Sequence, residues 1–109
     1  MPGSSTIPRG NISVAAMLGV PLTPAIVNAN TTAEQTFIVN GLLVGDVVTV
    51  TKPTAQAGLG VVGVRVSAAN TLAITFSNNT AAGITPTAGE VYVLELNRPE
   101  NLPLPTALV

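Results

Sequence analysis

Apolar residues alternate with small or polar residues along much of this chain, and this pattern limits it to a β fold. In residues 62–67 three valines alternate with Gly63, Arg65 and Ser67, and in residues 72–76 every second residue is large and apolar. Successive side chains of a strand point to opposite faces, so this pattern gives each strand one apolar face. No segment has helical periodicity over ten residues. Prolines, glycines and asparagines separate the alternating runs, as turns between strands require.

The alternation predicts six or seven short strands spaced about ten residues apart. The predicted strands are residues 36–40, 47–52, 62–67, 72–76 and 92–96, with one possible short strand at 12–17. Strands of this number and spacing are typical of a β-sandwich or a small barrel. A length of 109 residues suits one compact domain. We therefore expect an all-β chain whose β-sandwich core comprises residues 34–98.

Proline-rich segments on both sides of this core predict two extended arms. Residues 1–33 contain four prolines, which exclude a long helix, and residues 99–109 alternate three prolines with leucines. A free tail is normally polar, so apolar arms of this kind predict contact with a neighbouring subunit. The side chains expected to make that contact are Ile7, Leu18, Val20, Leu22, Ile26, Leu102, Leu104 and Leu108.

Charged residues are scarce, with four basic and five acidic side chains, whereas 47% of the residues are hydrophobic. About a quarter of the residues of a typical soluble domain are charged. A monomer with so little charge lacks the repulsion that keeps proteins soluble, so the composition favours a chain that works inside an assembly. Neighbouring valines, such as Val47 beside Val48 and Val61 beside Val62, place apolar side chains on both faces of a strand. We interpret the second apolar face as a subunit interface.

The composition also excludes most kinds of catalytic site. The chain has no His and no Cys, which excludes nucleophilic triads, thiolate zinc sites and disulfides, and it suits assembly in a reducing cytoplasm. The acidic residues do not cluster as a calcium site or an acid–base pair needs. Basic residues are scattered and no run of about 18 apolar residues occurs, so neither nucleic acid nor a membrane is expected as a partner. We expect no enzyme, no cofactor and no metal.

The individual acidic residues are interpreted as structural. Glu34 and Glu90 are predicted to cap strand ends, and Asp46 is predicted to hold a turn through its side chain. Glu95 is predicted to face solvent or to pair with Arg65.

Two further features have structural interpretations. Residues 58–63 match the dinucleotide pattern GxGxxG, which binds a pyrophosphate only where a strand leads into a helix. Here a valine-rich strand follows, so the segment is predicted to be a glycine-rich loop entering that strand. The aromatic residues Phe37, Phe76 and Tyr92 lie in alternating strands. They are predicted to pack in the core rather than to form a platform for carbohydrate.

Part of the sequence resembles a known family. The similar run extends from Phe37 to Arg98, about half of the chain. The segments that carry the similarity are FIVNGLLVGDVVTV (residues 37–50), Lys52-Pro53, GLG (58–60) and RVSAANTLAITFSN (65–78). They resemble small structural proteins of tailed bacteriophages, above all the jelly-roll cement, or head-decoration, proteins of the capsid. The resemblance implies a jelly-roll β-sandwich on the outside of the virion. It would be assembled in the host cytoplasm and bind neighbouring major capsid proteins as a homodimer or homotrimer, with no catalytic residues.

Related modules in phage fibres and tails leave an alternative, a β module that binds a receptor or a glycan. Its site would lie in the loops at residues 54–60 or 78–89.

Overall fold

The computed structural model describes residues 10–107, and the regular structure within them is entirely β. The strands are β1 (Ile12–Leu22), β2 (Thr31–Ile38), β3 (Val47–Thr51), β4 (Leu59–Ala68), β5 (Thr71–Asn78) and β6 (Glu90–Pro99). They form two three-stranded antiparallel sheets, with strand orders β1-β6-β3 and β2-β5-β4. The prediction of an all-β chain is confirmed, and the two sheets are consistent with a β-sandwich.

The strands pair from the ends of the chain inward. β1 pairs with β6 from Ile12–Pro99 to Leu22–Glu90, and β2 pairs with β5 from Thr31–Asn78 to Ile38–Thr71. β3 then joins the free side of β6, and β4 joins β5 through a tight turn at Asn70, which adopts a left-handed φ of 61°. The first two strands thus pair with the last two, whereas β3 and β4 lie in different sheets.

One apolar core lies between the two sheets. Its largest fully buried side chains are Tyr92 and Leu94 of β6, Leu72, Ile74 and Phe76 of β5, and Val27 and Leu42 of the loops. Burying each such side chain stabilises the fold by about 1.5–3 kcal/mol. The prediction that the aromatic residues pack in the core is confirmed for Phe76 and Tyr92, and Phe37 packs against the core while partly buried.

Residues 12–22 form one continuous strand of the domain, so the possible short strand at residues 12–17 is present, and the prediction of an extended arm is wrong for residues 18–22. The strand is long because β6 pairs with it as far as Leu22, beyond Pro21. Proline is tolerated in an edge strand because its missing N–H faces away from the ladder. The predicted boundary between residues 33 and 34 falls inside β2. At the other end, the predicted tail begins at Pro99, the last residue of β6, and residues 100–107 are exposed and form no strand.

The glycine-rich segment at residues 58–63 leads into β4, as predicted. Gly58 has a φ of 83°, and a Cβ atom at this position would overlap Thr80 Cγ2. Thr80 has little freedom to move because its hydroxyl hydrogen-bonds with Asn78 Oδ1 at 2.7 Å and with Ala82 O at 2.8 Å. Gly60, two residues later, has open space where a Cβ would lie.

Replacing Gly58 with alanine is expected to lower the free energy of unfolding by about 1–2 kcal/mol, because the new side chain strains the left-handed backbone and displaces Thr80. Gly60→Ala is the matched control and should change that free energy by less than about 0.5 kcal/mol. Urea unfolding followed by circular dichroism measures both. Equal losses in the two variants would contradict this account of Gly58.

Candidate interaction surface

The outward side of the β1-β6-β3 sheet is largely apolar. Cross-strand partners share a face, so this side consists of residues 15, 17, 19 and 21 of β1, 91, 93, 95 and 97 of β6, and 47, 49 and 51 of β3. The large apolar side chains among them, all exposed, are Met17, Val47, Val91 and Val93. We call these four residues the outer apolar face. Among the positions on this side, Glu95 is the one charged residue, and it accepts a hydrogen bond from Thr49 Oγ1 at 3.2 Å.

The outward side of the β2-β5-β4 sheet is more polar, with Thr75 and Ser77 on its central strand, and its exposed large apolar residues are Ile38 of β2 and Val62 at the bulge of β4. Arg65 donates two hydrogen bonds of 2.9 Å to Glu34, and this contact lowers the pKa of the Glu34 carboxyl. Glu34 therefore lies inside β2 with a partner and does not cap a strand end, and Arg65 does not pair with Glu95. Ala73, the cross-strand partner of Arg65, is fully buried beneath this pair. The two outward sides of the domain therefore differ in polarity, and the side of the β1-β6-β3 sheet is the more apolar.

An open cleft of about 380 Å³ lies at one end of the apolar side, between the start of β1, the end of β6 and the β2–β3 loop. The exposed side chains Leu43, Val44 and Leu102 form its apolar lining. Leu102 lies over Gly45, so close that a Cβ atom there would be 2.9 Å from Leu102 Cδ1. This tail cleft extends the exposed apolar surface to the C-terminal segment.

An ion pair holds the loop beside the tail cleft. Arg98 Nε and Nη2 donate to the two carboxylate oxygens of Asp46 at 2.8 and 2.9 Å, and Nη2 also donates to Gly41 O at 2.7 Å. The Leu43 N–H donates to Asp46 Oδ2 at 2.9 Å, which confirms that Asp46 holds this turn. The hydrogen bonds from Arg98, more than the one from Leu43, lower the pKa of Asp46. The carboxylate is thus charged at neutral pH and engaged within the fold.

A second ion pair closes the opposite end of the core. Lys52 Nζ lies 3.0 Å from Glu90 Oε1, and both side chains are largely buried. Thr54 donates its hydroxyl to Glu90, which is the main cause of the lowered pKa of this carboxyl, and Lys52 donates to Thr54 O at 2.7 Å. Glu90 is the first residue of β6, in agreement with its predicted place at a strand end. Burial, more than the nearby charge of Glu90, raises the pKa of Tyr92.

Within residues 10–107 no group of three or more His, Cys, Asp or Glu side chains could hold a metal ion. The same residues contain no helix long and apolar enough to cross a membrane. The chemistry that the exposed sheet offers to another molecule is apolar contact.

Of the side chains predicted to bind a neighbour, four are exposed and two lie outside the described residues. Ile26, Leu102 and Leu104 are exposed in the loop after β1 and in the C-terminal segment. Leu18 points to the core side of β1 yet keeps 37% of its surface exposed, because β1 is an edge strand. Ile7 and Leu108 lie outside the described residues.

The remaining two predicted contact residues, Val20 and Leu22, are corrected by the structure. Leu22 is buried in the core, and Val20 packs against it. Both are even-numbered residues of β1, and that side of the strand faces the core together with their partners on β6. They stabilise the fold and are not free to bind a neighbour.

The sequence indicated only part of the outer apolar face. Val47 was predicted to lie on a second apolar face of its strand, and it is exposed on the outer apolar face. Val62 is also exposed, but it lies at a bulge of β4 in the other sheet. Met17, Val91 and Val93 were not singled out. The unbroken apolar run at residues 91–94 could have indicated them, because a strand with two apolar faces has no polar alternation.

Comparisons of the chain with protein-family models, with curated proteins and with solved structures gave no match.

Proposed function

We propose that this chain is a structural protein of a tailed-bacteriophage particle, which binds the outside of the capsid and stabilises contacts between major capsid proteins. The resemblance of residues 37–98 to head-decoration proteins suggests the kind of partner. The outer apolar face supports binding through apolar contact between proteins. In this proposal the chain acts as a homodimer or homotrimer.

The observation that carries the proposal is the difference between the two sides of the domain. A soluble monomer rarely exposes a contiguous apolar patch of more than a few hundred Å² unless the patch binds something. Met17, Val91 and Val93 are neighbours on paired strands, with one carboxylate beside them. An apolar centre with few charges is typical of the buried part of a protein–protein interface.

The strand pairing supports the jelly-roll part of the proposal. Jelly rolls contain eight strands in two Greek keys. The six strands described here pair as a rolled hairpin, first with last and second with fifth, and β3 and β4 then extend the two sheets. This order is the one expected of a jelly roll with two strands fewer, which supports that part of the proposal.

The alternative of a glycan-binding module has less support. Sugar sites usually use exposed aromatic platforms, whereas Phe76 and Tyr92 are buried and Phe37 packs against the core. The two loops proposed for such a site, residues 54–60 and 78–89, use their polar groups on each other. Gln56 donates to Thr85 O at 3.1 Å and accepts from the Thr87 N–H at 3.0 Å.

Co-sedimentation with undecorated capsids from the same source as the chain tests the proposal. We expect the chain to sediment with capsids, and Val93→Lys to bind about tenfold more weakly, because it places a charge in the apolar contact. Thr36→Lys, on the outward side of the other sheet, is the matched control and should bind like the unmodified chain. A chain that stays in the supernatant, or equal binding of the two variants, would contradict the proposal. Saturable binding on a glycan array would favour the alternative.

The C-terminal segment allows a separate prediction. Deleting residues 100–109 is expected to leave the domain folded, because the segment forms no strand between residues 100 and 107, while capsid binding weakens through loss of Leu102 and Leu104. The deletion also removes the hydrogen bond from the Glu100 N–H to Asn11 O at 2.7 Å, so a small loss of thermal stability is expected. Circular dichroism and co-sedimentation measure the two effects. An unfolded deletion variant would mean that the segment belongs to the core.

A further inference from the structure

β1 is the least protected of the four edge strands in the described part of the chain. β3 has five residues and is followed by Lys52 and Pro53, β4 has two register shifts, and β2 carries Glu34 in its middle. Short length, bulges, prolines and charges are the devices by which proteins keep edge strands from pairing with other chains. β1 has eleven residues without a charge, and its only such devices lie near its ends: a register shift between Ile12 and Val14, and Pro21.

The backbone groups at the open edge can be assigned from Pro21. A proline within a strand has its nitrogen on the side away from the ladder, since it cannot donate a hydrogen bond. Pro21 lies opposite Val91 inside the β1–β6 pairing. Alternate residues of an antiparallel strand direct their N–H and C=O groups to the same side. The backbone groups of residues 15, 17 and 19 therefore face the open edge, and within residues 10–107 no strand pairs with them.

The unprotected part of β1 is symmetric about Met17. It runs from Val14 to Val20, between the register shift and Pro21, and Met17 is both its central residue and its most exposed large side chain, at 70%. An antiparallel pair of two such segments with Met17 opposite Met17 places Ala15 opposite Gly19, so open backbone groups meet open backbone groups. This register provides about six main-chain hydrogen bonds.

The side chains also fit a second copy of the same strand. On the core side, Ala16 comes opposite Leu18 and Val14 comes opposite Val20, which covers the exposed parts of Leu18 and Val14 with apolar atoms. On the outward side the large Met17 side chains meet between the small residues Ala15 and Gly19. Because the segment has no charge, self-pairing brings no like charges together.

We propose that two copies of this chain pair antiparallel through β1, about a two-fold axis at Met17, and so join their β1-β6-β3 sheets into one six-stranded sheet. The two outer apolar faces then lie on the same side of the joined sheet. A two-fold arrangement of this kind uses the same surface on both subunits. This pairing is the contact between identical copies that the proposed function requires. Its biological meaning therefore rests on the proposed function.

The size of the contact sets the strength of the dimer. Seven paired residues extend over about 24 Å, and their contact is smaller than the roughly 800 Å² that each partner contributes to a standard interface. We therefore expect a dimer that dissociates on dilution, with a Kd in the micromolar range. On a capsid, two joined outer apolar faces would bind together, and the second contact is then intramolecular.

Single-cysteine variants test the register in the free protein, without capsids. The chain contains no cysteine, so Met17→Cys has one thiol per copy, and the proposed pairing places the two Cα atoms about 5.5 Å apart. A short bifunctional thiol reagent is expected to link most of the Met17→Cys protein into covalent dimers. Val47→Cys, exposed on the far edge strand of the same sheet, is the matched control and should stay largely unlinked. Equal cross-linking of the two variants would overturn the proposal.

Sedimentation equilibrium tests the strength of pairing. Met17→Lys places two positive charges side by side at the two-fold axis and is expected to weaken dimerisation at least about tenfold, whereas Thr49→Lys on β3 should leave it unchanged. If Met17→Lys loses the circular dichroism spectrum of a β protein and is therefore unfolded, Ala15→Lys replaces it in the same test. A chain that is monomeric up to about 500 µM, well above the expected range, would overturn the proposal, as would a dimer unaffected by either β1 lysine. Capsid binding is measured separately, so either proposal can fail while the other stands.

Discussion

Phe76→Ala is expected to lower the free energy of unfolding by about 3–5 kcal/mol, the range for replacing a fully buried aromatic side chain with alanine. Phe76 is fully buried on β5, the central strand of its sheet, and its cross-strand partners are Ala33 and Val61. Alanine cannot fill the space, and neighbours on paired strands have little freedom to close it. Urea unfolding followed by circular dichroism measures the loss as a lower midpoint with an unchanged slope.

Ile38→Ala is the matched control for Phe76→Ala. Ile38 is a large apolar residue of β2, paired with Thr71 of the same central strand, but 74% of it is exposed. Its replacement should change the free energy of unfolding by less than about 0.5 kcal/mol. A loss at Ile38 as large as that at Phe76 would mean that the apparent outer surface is buried in solution, for instance in an assembly.

The sequence predicted the strands of the central part of the chain well, because their apolar residues alternate. Residues 72–76 lie inside β5, and residues 92–96 lie inside β6. The hairpin of β4 and β5 turns at Asn70. β1 was missed in its second half because Pro21 and Pro24 indicate an irregular chain when residues 12–33 are considered alone. The partner that makes 12–22 a strand, β6, lies more than 65 residues later, and local pattern contains no information about such a pairing.

The sequence predicted that the protein has an exposed apolar surface, but not which residues form it. Scarcity of charge indicates surplus apolar surface, yet it does not say which side chains are exposed. Val20 and Leu22 have the same residue types as exposed Val91 and Leu104, and only strand pairing decides which of them faces the core. The sequence likewise offers Arg65 several acidic residues as ion-pair partners. Glu34 is the partner because β4 and β2 both pair with β5, and their registers bring Arg65 and Glu34 together.

Asp46→Ala is expected to lower the free energy of unfolding by about 2–3 kcal/mol, because it leaves the donors of Leu43 and Arg98 without their charged acceptor. The Asp46 carboxylate accepts hydrogen bonds from Leu43 N and from Nε and Nη2 of Arg98, so its removal frees the β2–β3 loop from β6. The effect depends on pH. Because the pKa of Asp46 is lower in the folded protein than in the unfolded chain, its contribution is complete above the unfolded value, near 4, and is lost as the pH falls through the folded value.

Asp46→Asn separates the charge from the shape of this side chain. Its deficit relative to the unmodified protein should be constant above about pH 5 and shrink on acidification below about pH 4, as the native carboxylate becomes protonated. Arg98→Met breaks the same pair from the other side and should show the same dependence. Urea midpoints between pH 2.5 and 7 measure both. A deficit that stays constant down to the lowest pH would mean that Asp46 stabilises the loop by its shape, through the hydrogen bond from Leu43, and not by its charge toward Arg98.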